Sequence, residues 1–311
     1  MRPIRIFFVT DLHGSELCFR KFISAISIYN ADVAIALGDL AGKMVVPVID
    51  NGNGSYDCNF LGQDEHMNNK TELDSQLVKI NNIGFYPYVT GKKEVDELRA
   101  KPDDVSRIFH KLISDRVQHW VDLANEKLSS SKALIFMAPG NDDPLEMDEI
   151  LDKSRVMKPC AMRNVDVLGY EMITIAHTSP TPWDTPREWN EEQMKENIER
   201  LTSTIKNMER AIFNFHDPPY GTPLDYAPKL RDMRPSAGEV EHVGSKSVFD
   251  SIKNLQPFLG LHGHIHESRA VHYIGRTFCV NPGSEYGEGI LKGVILTIAD
   301  TKMKSYVFTS G

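Results

Sequence analysis

The chain has 311 residues, 41% of them hydrophobic and 25% charged, enough apolar material for a sizeable core and too much for wholesale disorder. Lys and Arg number 35 against 43 Asp and Glu, a net charge of −8. With a pI near 5.8 that is the wrong sign for a protein held to nucleic acid by phosphate neutralisation. Cys18, Cys58, Cys160 and Cys279 show no Cys-x-x-Cys spacing and read as reduced, buried thiols, not as a zinc site or a disulfide framework. The apolar run Ile6 to Val9 is too short for a signal-peptide core, and no stretch approaches the roughly 18 uncharged apolar residues of a membrane span. The expectation is a cytoplasmic protein with no membrane partner.

Taken in chain order, Ile4 to Thr10 reads as a strand. Ser15 caps a helix with Phe19, Phe22, Ile23 and Ile26 on one face, and Val33 to Leu37 completes a β-α-β unit. Residues 43–101 break the alternation. Val45-Val46-Pro47-Val48-Ile49 and the turn Asn51-Gly52-Asn53-Gly54 suggest an insertion of a β-hairpin and a lid within one domain spanning residues 1–311. Asp103 or Asp104 starts a helix carrying Phe109, Ile113, Val117, Trp120 and Ala124, which leads into the strand Ala133 to Met137. Ile173 to Ala176 is a further strand. A helix from about Glu188 to Arg210 carries Met194, Ile198, Leu201, Ile205 and Met208. The last third, with strands Ile212 to Phe215, Phe258 to Leu261, Thr277 to Val280, Val294 to Ile298 and Ser305 to Phe308, shows no helical pattern and points to a mixed or second sheet.

Chemistry-bearing residues sit at the strand ends: Asp11-Leu12-His13, Gly38-Asp39, Gly140-Asn141-Asp142-Asp143, His216, and His262-Gly263-His264-Ile265-His266. Open α/β sheets assemble their sites beyond the carboxyl ends of strands, and residues two apart in extended chain face the same way. Each piece alone is compatible with turn capping. Gly-His-x-His, however, is expected by chance only about 0.03 times in a chain of this composition.

The ordered set Asp11-x-His13, Gly38-Asp39, Gly140-Asn141-Asp142, His216 and Gly263-His264-x-His266 resembles the calcineurin-like metallophosphoesterase superfamily over residues 11–266. Asn281-Pro282-Gly283-Ser284 is similar to the segment that follows the family's last histidine motif. The resemblance implies a four-layer α/β/β/α sandwich of two mixed sheets flanked by helices. It also implies a two-metal centre, with Asp11, His13 and His266 on one ion, Asn141, His216 and His264 on the other, and Asp39 bridging. Four imidazoles, two carboxylates and an amide, with no thiolate, suit Mn, Fe, Zn, Co or Ni. The implied activity is hydrolysis of a soluble phosphomonoester or phosphodiester, with a nucleotide among the candidates, by attack of a metal-bridging hydroxide. The alternative is a metal-binding scaffold of this fold that serves protein interaction with little or no catalysis.

Where many members of that superfamily have a histidine after the asparagine, this chain has Asp142 and then Asp143. Asp142 is the candidate catalytic acid, which requires burial or the neighbouring carboxylate to raise a pKa near 3.9. The bland reading is that the pair orders the metal shell or starts a helix. His177 and His242 are alternatives for the acid but read first as surface or packing histidines, His262 and Glu267 as groups orienting the ligands, and Lys43 as a solvated lysine that could meet a phosphate.

Overall fold

The computed structural model describes residues 2–231 and 234–311. One six-stranded sheet runs, in spatial order, Lys302–Ser310, Lys292–Ala299, Ile4–Thr10, Val33–Leu37, Leu134–Ala138 and Met157–Pro159. Its last four strands are parallel, and the C-terminal hairpin closes the other edge antiparallel to Ile4–Thr10. The second sheet runs Ala270–Ile274, Thr277–Asn281, Leu259–Leu261, Ala211–Phe215, Tyr170–Ile175 and Asn164–Val167, with its middle four strands parallel.

The pleat sorts side chains into three apolar layers. In Ile4–Thr10, Phe7 and Val9 join the layer that holds Phe19 and Phe22 of helix Glu16–Ile28 and Val117 and Trp120 of helix Pro102–Lys127. Trp120 stacks on Phe19 at 4.3 Å between ring centroids. Ile6 and Phe8 point the other way and meet Met172, Ile212, Leu259 and Val280 between the two sheets. On the far side, Ile173, Phe213 and Phe215 pack under Met194 and Ile198 of helix Glu191–Thr202 and Val248 and Ile252 of helix Lys246–Leu255. Three buried layers separate four layers of elements, the α/β/β/α sandwich expected from the sequence. Each large apolar side chain so buried contributes about 1.5–3 kcal/mol. All four cysteines are buried free thiols. Among the described residues no helix is long and apolar enough to cross a membrane.

Several elements depart from the sequence reading. The helix expected from Glu188 to Arg210 starts at Glu191, where Asn190 and Gln193 form a capping box, and stops at Thr202. Beyond it the carboxylate of Glu171 accepts from the backbone N–H groups of Lys206 and Asn207, so the chain leaves the helical path before the short 3-10 turn Met208–Arg210. The last third does contain a helix, Lys246–Leu255, capped by Ser245. Residues 43–101 form more than a hairpin and a lid. Strands Gln63–Met67, Tyr56–Phe60, Val45–Asp50 and Tyr86–Gly91 make a separate sheet in that order, carrying helices Lys70–Asn82 and Lys92–Leu98. Val46, Val48, Leu73 and Ile80 give this unit its own small core. It abuts the loop after Ile4–Thr10 so closely that a Cβ on Gly84 would lie 1.9 Å from the His13 carbonyl oxygen.

Candidate metal centre

The carboxyl ends of Ile4–Thr10, Val33–Leu37 and Leu134–Ala138 in one sheet, and of Ala211–Phe215 and Leu259–Leu261 in the other, converge at one end of the sandwich. The turns that leave these strands are strained. Asp11, His13, Asp39 and His264 adopt φ of +55°, +40°, +39° and +67°, a region that costs a side-chain-bearing residue about 1–2 kcal/mol. Glycine is required beside them: Gly38 sits at φ +77°, and a Cβ there would lie 2.0 Å from His216 Nδ1.

Two groups of side chains result. Asp11, His13, Asp39 and His266 present donor atoms within 4.8 Å of one another, as do Asp39, His216 and His264. His13 Nε2 lies 3.0 Å from His266 Nε2 and 3.6 Å from Asp39 Oδ2, and His216 Nε2 lies 3.5 Å from Asp39 Oδ1. The two oxygens of Asp39 therefore face different histidine sets. Asp11 Oδ1 is 3.5 Å from His266 Nε2 and 3.8 Å from His216 Nε2, while its Oδ2 accepts from the Thr10 hydroxyl and the His264 N–H. Asn141 lies in the loop after Leu134–Ala138. Its amide nitrogen donates to Thr185 Oγ1 at 3.0 Å, which sets the orientation of its carbonyl oxygen.

The residues fit divalent cations. Asp11 Oδ1, Asn141 Oδ1 and both ring nitrogens of His216 are buried without a hydrogen-bond partner among the described residues. Unpaired buried polar atoms cost on the order of 1–3 kcal/mol each, a penalty that ligation relieves at the ligating atom. Burial opposes ionisation of Asp11, yet His216 and His266 hold its carboxyl well below the usual range. Burial, and then the positive charge of Lys43, keeps His13 deprotonated; burial and then His216 push His264 down to about 4. Both are therefore neutral imidazoles able to offer a lone pair. His13 Nδ1 lies 3.3 Å from the Ala41 carbonyl, which favours the tautomer with Nε2 free.

Asp143 and Asp142 have different surroundings. Asp143 is fully buried and accepts from the backbone N–H groups of Leu40, Ala41 and Gly140, stapling the loop that carries Asp39 to the loop that carries Asn141. Burial and then Asp39 push its carboxyl up to about 7. Asp142 is partly exposed, with Oδ2 2.7 Å from Lys43 Nζ and 3.9 Å from His13 Nδ1. Its pKa is raised, by burial first and Asp39 second. Lys43 is thus paired, not simply solvated; burial opposes its charge, but Asp142 and Asp39 outweigh that and raise its pKa to about 12.

His177 stacks on Trp189 at 3.6 Å and His242 bonds Asp225, so both are packing groups as expected. His262 is buried with Nδ1 against the carbonyls of Phe215 and Asp217, which braces the Gly-His-x-His loop from behind. Glu267, expected to orient a ligand, is exposed and makes no ion pair among the described residues. Asn281 donates to the carbonyls of Gly263 and Ile265, and Ser284 Oγ donates to the carbonyl of Asp11, so the Asn-Pro-Gly-Ser turn ties the two ends of the site together. Tyr286 went unrecognised in the sequence. Its ring lies 4.5 Å from that of His13 and 5.8 Å from that of His266, and no periodicity marks it.

No protein-family model matches this chain. The Thermus thermophilus protein TT1561 superposes over 99% of this chain and 98% of its own at 14% identity and a TM-score of 0.54. Another solved structure does so over 97% and 98% at 16% identity and a TM-score of 0.58. With the two-sheet sandwich and the ordered motifs at one end of it, the fold is settled. It is that of the calcineurin-like metallophosphoesterases. A structure described as a novel archaeal phosphodiesterase aligns more loosely, at 11% identity and a TM-score of 0.41 over 99% of this chain and 100% of its own. The uncharacterised protein MJ1162 of Methanocaldococcus jannaschii is 29% identical over 150 residues, 48% of this chain and 63% of that protein. The match thus spans less than two thirds of that curated relative. The resemblance read from the sequence holds at the level of the fold, and the calcineurin-like frame is the one in which the Asp and His groups stand.

Proposed function

We propose that the chain is a dinuclear metal-dependent phosphoesterase acting on a small soluble phosphate ester. The observation that carries this reading is the position of Asp39, whose two oxygens face the His13 and His216 sides separately. Asp11, His13, Asp39 and His266 would hold one ion, and Asp39, Asn141, His216 and His264 the other. Divalent ions bound there supply Lewis-acid stabilisation of charge on phosphoryl oxygens and acidify water for in-line attack. The rest falls to this chain's own groups. His13 and His264 stay neutral and unprotonated, Asp143 locks the two loops, Thr185 turns the Asn141 carbonyl inward, and Asp142 with Lys43 shapes the mouth where an ester enters. Imidazole and carboxylate donors without thiolate accept Mn, Fe, Zn, Co or Ni.

The test strips metal, adds each candidate ion back, and follows p-nitrophenyl phosphate and bis-p-nitrophenyl phosphate hydrolysis alongside metal content. The expected result is two ions per chain and metal-dependent turnover, with Asp39→Asn losing both ions and all turnover. Full activity in Asp39→Asn overturns the dinuclear reading. Metal uptake with no turnover of either ester moves the chain to the scaffold reading.

A further inference from the structure

We propose that Lys43, aimed by Asp142, is the phosphate-recognising side chain of this site and biases it towards phosphomonoester dianions over diesters. This rests on the phosphoesterase reading and adds a residue outside the metal-ligating set.

The backbone that carries Lys43 is fixed. Leu40 N–H and Ala41 N–H donate to Asp143 at 2.8 and 2.6 Å, and Gly42 N–H donates to the Tyr86 hydroxyl at 2.7 Å. Gly42 presses so closely on the turn before strand Tyr86–Gly91 that a Cβ there would lie 1.8 Å from the Gly84 carbonyl oxygen. At the other end of the pair, Asp142 N–H donates to Asp39 Oδ1 at 3.0 Å, which ties Asp142 to the carboxylate shared by both histidine sets. Between these anchors Lys43 Nζ meets Asp142 Oδ2 at 2.7 Å, with the lysine side chain 49% exposed and the aspartate 19%. The pair is therefore partly exposed beside the Asp39 and His13 side chains, neither in the core nor on an open surface.

Its charge explains the placement. Half-exposed ion pairs add little to stability, so stability is a weak reason for building one on two braced loops. A lone carboxylate at Asp142 would repel an incoming phosphate; paired with Lys43 it is neutralised, and the ammonium still has N–H donors to offer after serving Asp142. A phosphate oxygen beside Nζ gains a charge-assisted hydrogen bond. A monoester, which carries two negative charges near neutral pH, gains more from that positive charge than a singly charged diester. During hydrolysis the bond from phosphorus to the leaving oxygen breaks, its electron pair stays on that oxygen, and the attacking water supplies the proton that ends there. Lys43 neither gains nor loses a proton over the cycle.

The test compares the metal-loaded full chain with Lys43→Met and Lys43→Arg. The affinity for inorganic phosphate is measured by calorimetry, kcat and KM on p-nitrophenyl phosphate and bis-p-nitrophenyl phosphate by absorbance, and metal content by elemental analysis. In Lys43→Met phosphate binding weakens about 10- to 100-fold and kcat/KM for the monoester falls by a similar factor, while the diester loses no more than about 3-fold. Lys43→Arg recovers most of both, and metal content stays at the wild-type value. Unchanged phosphate affinity in Lys43→Met, equal losses for the two esters, or loss of metal from that variant overturns the proposal and leaves the phosphoesterase reading standing. A wild-type protein that takes up metal yet neither binds phosphate nor hydrolyses either ester overturns both.

Discussion

Replacing Gly38 by alanine tests whether close packing of two strand ends builds the centre. The substitution carries two separable penalties. At φ +77° an alanine is strained by about 1–2 kcal/mol, and its Cβ would lie 2.0 Å from His216 Nδ1, roughly 1.5 Å inside normal contact. Because both neighbours are buried in close-packed surroundings, overpacking adds about 1–3 kcal/mol. The total, about 2–5 kcal/mol, corresponds to a fall in Tm of roughly 3–8 °C for a chain of this length. The site suffers more than the fold, since the ring that must move belongs to the Asp39, His216 and His264 group. Gly52→Ala is the matched control: Gly52 has φ +75° and nothing within 4 Å of a built Cβ, so it carries the strain without the clash. Melting curves and metal stoichiometry on all three proteins are the assay. Gly38→Ala should keep one ion of two, whereas Gly52→Ala keeps both and loses only about 1–2 kcal/mol. Identical metal content in the two variants refutes the reasoning.

Thr185→Val removes the acceptor that orients the Asn141 amide, so one of two metal affinities should fall about 10- to 100-fold by calorimetric titration; two unchanged affinities would count against a ligand role for Asn141. In metal-free protein, burial opposes a charge on His216, but Asp39 and Asp11 outweigh it and raise its pKa from 6.5 to about 9. That contribution is whole below about pH 6.5 and is lost as pH rises through 9, at most about 3 kcal/mol. Asp143 and Asp217, both pushed up to about 7 chiefly by burial, confine their own losses below that value, which leaves the window from pH 7 to 9 to His216 together with His266, whose pKa, against burial, Asp11 also raises. Metal-free Tm should drop across this window and the metal-loaded slope should flatten, because the ion takes the place of the proton. Parallel slopes in the two forms would exclude His216 from metal binding.

The strands that deliver the site are legible because their signal is local. In Ile4–Thr10 and Val33–Leu37 every side chain except that of Arg5 is buried, on both faces, which demands long apolar runs, and the polar residues that follow at Asp11 and Asp39 mark where each strand leaves the core. The helix Glu16–Ile28 is equally plain, since a cap at Ser15 and one apolar face are written within a few turns. The sheet inside residues 43–101 reads in the sequence only as a hairpin and a lid because its strands are short and half exposed, with burial mixed along Tyr56–Phe60 and Gln63–Met67. Helix Lys246–Leu255 was missed because only Val248 and Ile252 are fully buried on it.

The sequence by itself determined which residue types stand at the strand ends, and their order supported a calcineurin-like fold, because strand periodicity and turn residues act over a few neighbours. Tertiary structure alone decided the partners. Lys43 reads the same beside a turn whether it meets water or Asp142, which is 99 residues further along the chain. The two oxygens of Asp39 can be sorted between His13 and His216 only after two sheets have packed face to face. Likewise Thr185 behind Asn141, and Tyr286 beside His13, come from segments with no periodic tie to their partners. Proximity across such separations is set by the packing of whole layers, and a side chain carries no local mark of the layer it will meet.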